Sequence, residues 1–378
     1  MSSSEVQPAA TLPEDLLSPE TDWAGYLSGV VDGSSSQHVA SLNAHIHSNP
    51  ELAYEEHQAH NTFVDTLKTL GFAVTPMPTV SRPHSRPTVR APRPRPPARH
   101  PAEEGGGGKL KLIAAGAYRG AAASLMVHPG AGYLLRPGLR GVAYYRMLAN
   151  IKVRVYFTGQ EAHAAIEPWN GVNALDAVCL SYNAVSMLRQ QIRPHERIHG
   201  VFRAAGDRPN VVPADCCVEY YVRSDTKAAA EALWARVLKC FEGAALATGC
   251  GMRVEPLNSY DDLRPSQALC RAYEAAMPVG TVSWNDPPDF LAGSTDMGNV
   301  TYECPGFHGA FGIDTPVGQG NHTKSFAEAA GTQDSFVRAM ECAKGMAIVG
   351  WKMLTDDVFA EGVQREWVAD MEKARGEF

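Results

Sequence analysis

The chain has 378 residues, enough for one large domain or two ordinary ones. Hydrophobic residues make up 44% and charged residues 20%, the balance of a soluble globular protein, and the formal net charge of -7 excludes nucleic acid as a general partner, because phosphate contacts need surplus Lys and Arg. No apolar run has the length or flanks of a signal peptide or membrane span, so no membrane association and a cytoplasmic location are expected. All eight cysteines lie between Cys179 and Cys342 without metal-type spacing, and they read as reduced structural thiols.

Residues 1–35, rich in Ser, Pro and acids, read as a flexible tail. From Val39 to Leu70 the pattern is helical, broken at Ser48-Asn49-Pro50, where Pro50 can open a new helix. Residues 76–101 are dense in Pro and Arg, lack Asp and Glu, and show no hydrophobic period; extended or disordered chain is predicted there. Lys109–Tyr118 is helical, and Ala122–Val127 is a short apolar strand ending at His128-Pro129-Gly130. Ile151, Val153, Val155 and Phe157 alternate with Lys152, Arg154, Tyr156 and Thr158, a half-buried strand. Val172, Leu175, Cys179, Tyr182 and Leu188 recur at helical spacing. Strands over Arg197–Arg203 and Cys216–Arg223, a helix over Ala228–Ala247 and a strand over Met252–Leu257 follow. That order is β-α-β-β-α-β, the ferredoxin-like unit, placed at 150–258 with an open sheet edge for pairing. The flanks, 36–148 and 259–378, then form one domain interrupted by this insertion. A long helix around Phe326–Leu354 closes the chain.

Glu103-Glu104 precede four glycines, a composition that suits a tight loop in which one carboxylate binds a cation and its neighbour handles a proton. The loop is not a Walker motif: the first Gly of that motif is missing and Lys109 is followed by Leu110. His128 falls at a strand end, where α/β sheets collect sites, and His322 sits in Gly320-Asn321-His322-Thr323. Glu104, His128 and His322 together supply one carboxylate and two imidazoles, a usable zinc set with water as fourth ligand. Their separation makes spacing alone a weak signal, and each residue singly is more often structural or solvated. His45 and His47, two apart on a helix, face different ways and read as helix-end residues. His163, in Glu161-Ala162-His163-Ala164-Ala165, is by itself a loop histidine.

Taken together and in order, several segments resemble the dinuclear-zinc metallopeptidase family of aminoacylases, glutamate-releasing carboxypeptidases and auxin-conjugate amidohydrolases, in its dipeptidase and amidohydrolase branch. They are His47-Ser48-Asn49-Pro50-Glu51-Leu52, Pro101-Ala102-Glu103-Glu104-Gly105-Gly106, Met126-Val127-His128-Pro129-Gly130, Gly159–Ala165, Gly171–Ala177, Pro209–Ala214, Gly293–Val300 and Asn321-His322-Thr323. The resemblance implies an α/β/α catalytic domain of the phosphorylase/hydrolase-like, zinc-peptidase type, interrupted by a ferredoxin-like dimerisation domain. It also implies two zinc ions per subunit, a homodimer, and a small peptide or N-acyl amino acid as substrate. Carried over by position, Glu103 is the general base and Glu104, His128 and His322 are metal ligands. His163 is similar to the histidine that steadies the oxyanion in the partner subunit's site; Asn210, Arg223, Ser294 and Thr295 fall where substrate is held.

The pattern breaks between residues 76 and 101. The family places a strand and a Gly-His-x-Cys-Gly-His type ligand motif in that interval; here the histidines are His84 and His100, and no cysteine precedes Cys179. Two ligands are therefore missing, and fewer than two zinc ions per subunit with weak hydrolysis are expected. Two origins remain open: an altered transcript, or a genuine variant that has given up catalysis and kept its dimer domain.

Overall fold

The computed structural model describes residues 22–52, 54–72, 74, 106–284 and 290–376; the Pro/Arg stretch 76–101 and the Glu103-Glu104 pair lie outside the described residues. The described chain opens on α1 (Trp23–Asp32), α2 (Ser34–Ser48) and α3 (His57–Thr69). Of the tail expected over 1–35, residues 1–21 lie outside the described residues, and α1 is helix where tail was expected: Asp22 caps it by accepting the Gly25 amide at 3.0 Å, and Asp32 pairs with Lys344 at 2.6 Å. Pro50 does not open a helix. α3 starts at His57, where the Glu51 carboxylate accepts the Gln58 and Ala59 amides at 3.0 Å each, satisfying first-turn donors that have no helical partner. Next come α4 (Gly108–Ala114), β1 (Ser124–Ala131), β2 (Gly141–Val142) and β3 (Arg146–Met147).

The inserted unit runs β4 (Ala149–Thr158), α5 (Ala174–Leu188), β5 (Arg197–Ala204), β6 (Asp215–Ser224), α6 (Lys227–Thr248) and β7 (Gly251–Pro256). Its sheet is antiparallel throughout in the order β5-β6-β4-β7, the ferredoxin-like arrangement read from the sequence. Period-2 alternation sends Val153, Val155 and Phe157 of β4 and Val218, Tyr220 and Val222 of β6 under α5 and α6, where they meet Leu233, Val237 and Phe241. Each fully buried side chain of this kind stabilises the fold by about 1.5–3 kcal/mol. The helices begin on side-chain caps: Asn173 accepts the Leu175 amide and Thr226 the Ala229 amide. Gly249, at φ 71°, ends α6 in the left-handed conformation.

The rest of the body is α7 (Gln267–Ala276), β8 (Val282–Ser283), β9 (Phe290–Leu291), α8 (Met297–Thr301), β10 (Gly306–Ile313), α9 (Lys324–Ala330), α10 (Gln333–Thr355) and α11 (Asp357–Gly376). The single closing helix expected over Phe326–Leu354 is interrupted, because Thr332 caps a fresh start by accepting the Ser335 amide. β1 and β10 pair in parallel at one side of a four-stranded sheet ordered β1-β10-β2-β8. On one face Leu125, Val127, Phe307, Phe311 and Ile313 pack with α7, α10 and α11; on the other Met126 and Ala310 pack with Leu112, Met297 and Val300 of α4 and α8. The body is thus an α/β/α sandwich with the βαββαβ unit inserted into it.

Asp262, fully buried, ties the two parts together. It accepts the Lys227 amide at 2.8 Å and the Tyr302 hydroxyl at 2.6 Å, and it pairs with Arg146 at 3.1 Å and Arg264 at 3.3 Å.

Candidate active site

A cleft of about 580 Å³ opens between the body sheet and the inserted sheet, and His128, Arg223, Ser294, Thr295 and His322 all line it. The alternation that buries Leu125 and Val127 against the helices turns Met126 and His128 to the opposite face. His128 therefore lies within β1, and not beyond a strand ending at Val127 as read from the sequence. Its Nδ1 lies 2.8 Å from the Pro129 carbonyl. A carbonyl only accepts, so Nδ1 carries a hydrogen and Nε2 is the nitrogen turned to other partners. Asn321 donates to the same Pro129 oxygen at 3.0 Å, joining the His322 loop to the strand that bears His128. His322 sits at φ 69°, an uncommon conformation for a residue with a side chain, and Thr323 caps α9 directly after it.

The sequence reading missed His308. It lies diagonal to His128 in the β1–β10 register, with ring centroids 6.1 Å apart and planes 18° from parallel. Burial pushes its pKa down to about 3, with His128 and Lys109 adding to the shift, so the ring is neutral at physiological pH. His308 Nδ1 and the Tyr145 hydroxyl, whose own pKa burial raises, share a hydrogen bond of 2.5 Å. The buried His308 Nε2 has no hydrogen-bond partner among the described residues. The signal in the sequence was a polar residue inside the apolar run Gly306–Ile313.

The opposite wall is the face of β4 and β6 turned away from α5 and α6. Asn150 pairs across from Arg223, and Lys152 across from Tyr221, so these four side chains form one patch facing the body. Lys152 is buried; its Nζ lies 4.1 Å from the Tyr260 ring centroid and 5.4 Å from that of Tyr221. Arg223 donates to Ser294 Oγ at 3.2 Å, while its buried Nε lacks a partner among the described residues; burial holds its pKa below the usual guanidinium value. Behind the cleft, Lys109 and Asp296 form a buried ion pair at 2.6 Å, and Asp296 also accepts the Lys109 amide at 3.0 Å.

Two of the expected site residues are elsewhere. His163 is exposed on a loop of the inserted unit, its Nδ1 accepting the Ala165 and Ile166 amides at 3.2 Å, and it bridges to Val211 beside exposed Asn210. Neither lines the cleft of its own subunit. Glu103 and Glu104 lie outside the described residues. For a metal ion the described donors fit in part: His128 Nε2 is oriented as a ligand would be, but among the described residues no group of three His, Cys, Asp or Glu side chains is placed to hold an ion.

The cleft lies between an α/β/α body and an inserted ferredoxin-like unit, and residues 146–248, which include most of that unit, match the M20 peptidase dimerisation domain. The chain belongs to the M20 peptidase family of aminoacylases and dipeptidases. It is 36% identical over 277 residues to the Xaa-Arg dipeptidase of Mus musculus, covering 72% of this chain and 62% of that protein. It is 34% identical over 187 residues to one of the two p-aminobenzoyl-glutamate hydrolase chains of Escherichia coli that it resembles, covering 49% of this chain and 37% of the relative. Its fold matches the solved structure of a putative aminohydrolase from methicillin-resistant Staphylococcus aureus with a TM-score of 0.53 at 17% identity, over 66% of this chain and 64% of that one. The chain spans 62% of the length of the mouse dipeptidase.

Proposed function

We propose that this chain is an amide-bond hydrolase acting on dipeptides or N-acyl amino acids, with reduced metal content and weak turnover. The observation that carries this reading is the meeting of His128 and His322 with Arg223, Ser294 and Thr295 in one cleft. His128 and His322 would hold a zinc ion with Glu104. A zinc bound there supplies Lewis acidity to the scissile carbonyl and lowers the pKa of a bound water to about 7. Glu103 takes the proton of the attacking water and passes it to the leaving amine, a role contributing about 10²–10⁴ in rate. Arg223 and Ser294 hold the substrate's carboxylate end, with Thr295 and Asn210 as further contacts. His163, exposed and remote from its own cleft, serves the oxyanion of a second subunit in a homodimer built on the inserted unit.

The cytoplasm suits a chain whose eight cysteines are all free. Among the described residues, no helix is long and apolar enough to cross a membrane. A second reading, a dimer-forming homologue without catalysis, is motivated by the sequence between residues 76 and 101, which lacks the ligand motif that the family places there. Zinc titration of the purified chain beside an amidase assay separates the two. We expect fewer than two zinc ions per subunit and slow turnover that His128→Ala and His322→Ala abolish. Two ions with normal turnover would contradict the ligand loss, and no metal with no turnover establishes the second reading.

A further inference from the structure

Asn150 lies near the start of β4, directly across from Arg223 of β6. The alternation that sends Ile151 and Val153 beneath α5 and α6 turns Asn150 the other way, so that it lines the cleft while only 1% exposed. Its backbone is pinned by an exchange with Tyr260: the Asn150 amide donates to the Tyr260 carbonyl at 2.7 Å, and the Tyr260 amide donates back at 2.8 Å. Yet its side-chain Oδ1 is buried with no hydrogen-bond partner among the described residues. An acceptor in that state costs stability unless something donates to it. Arg223 does not do so. Its guanidinium is drawn to Ser294 Oγ at 3.2 Å, and its own buried Nε is unpartnered among the described residues. One wall of the cleft thus sets an unpaired acceptor beside an unpaired donor, on cross-strand neighbours whose Cβ atoms stand about 4.5–5.5 Å apart.

We propose that Asn150 is a further substrate-contacting residue, whose Oδ1 accepts the N–H of the scissile amide. This rests on the amide-hydrolase reading above, in which Arg223 and Ser294 hold the carboxylate. In an α-amino acid acylated on its nitrogen, the amide N–H and the carboxylate are attached to the same carbon. A ligand seated on Arg223 by its carboxylate therefore brings that N–H to the neighbouring side chain, where Oδ1 supplies the missing acceptor. Asparagine suits the place. An aspartate would accept as well but would repel the carboxylate beside it, and a leucine would fill the space and accept nothing. The contact reads the amide and is indifferent to the amino acid's side chain. An ester has no N–H, nor has an amide formed on the nitrogen of proline, and either would leave Oδ1 buried and unpaired. That penalty makes Asn150 specificity-determining: it selects secondary amides over esters and acyl-prolines.

Calorimetric binding to the purified full chain tests this without relying on turnover. The probes are N-benzoylglycine and 3-benzoylpropionate, which differ only in that a methylene replaces the amide N–H; the second cannot be hydrolysed. We expect N-benzoylglycine to bind about fivefold more tightly, the scale of one hydrogen bond to a buried acceptor. Asn150→Leu and the smaller Asn150→Ala should each abolish that preference by weakening N-benzoylglycine, with 3-benzoylpropionate little changed. Asn150→Asp should weaken both probes, because its charge faces their carboxylate. Melting curves report that each variant is folded. Equal binding of the two probes to the wild-type chain overturns the role of Asn150 alone. A preference that survives Asn150→Leu or Asn150→Ala places the contact on another residue and refutes the assignment. Binding of neither probe overturns the amide-hydrolase reading and the role of Asn150 with it.

Discussion

The hydrogen bond between the Tyr145 hydroxyl and His308 Nδ1 joins two buried side chains in the wall of the cleft. Tyr145→Phe removes that hydroxyl and leaves both imidazole nitrogens without a partner among the described residues, Nε2 having none already. A loss of about 1–3 kcal/mol is expected, read as a lower urea midpoint at unchanged slope. A midpoint equal to the wild type would mean that water reaches the ring. Neither residue was legible as part of a site. Tyr145 precedes a two-residue strand too short to show a period, and His308 lies in a strand buried on both faces, where alternation disappears. Lys152 was legible only as the polar side of an alternating strand; the sequence does not show that Tyr260 and the body cover that side.

At the scale of elements, the buried Lys109–Asp296 pair joins the start of α4 to the turn ahead of α8, two segments distant in sequence. Its side chains are 2% and 0% exposed, so removing one partner strands a charge in the interior. Lys109→Met should cost about 3–5 kcal/mol, whereas Lys109→Met combined with Asp296→Leu should recover much of it. Chemical denaturation of both single variants and the double variant checks this, and a double-variant loss equal to the sum of the two single losses would show that the pair carries no coupling. The inserted unit was readable in order because its strands are long and buried on one face, and its helices start at Asn173 and Thr226. The body was harder to read. β2, β3, β8 and β9 span two residues each, α1 lies in a stretch whose composition suggests a tail, and Thr332 divides a helix whose apolar period runs through the break. Of the site, His128 and His322 were legible only as members of a set of motifs; no local pattern brings them together.

For the whole molecule, the proposed homodimer places a specific demand on the free edge of the inserted sheet. β5 exposes Val201 at 56% and Phe202 at 43%, and Met187 of α5 is 74% exposed. Phe202→Glu should shift the chain to monomer in sedimentation velocity, and because His163 would then have no second cleft to serve, turnover should fall with it. A variant that stays dimeric points to another contact surface. β4 gives the inserted unit a mechanical property as well. One end bears Asn150 and Lys152 at the cleft, next to the clamp made by Asp262, and the other runs toward the His163 loop. Ten extended residues reach about 33 Å, so a swing of roughly 10° about the clamp carries the distal tip about 6 Å while hardly disturbing the near end. A rigid rotation of the inserted unit about that clamp would therefore move the far end of β4 much further than the end at the cleft.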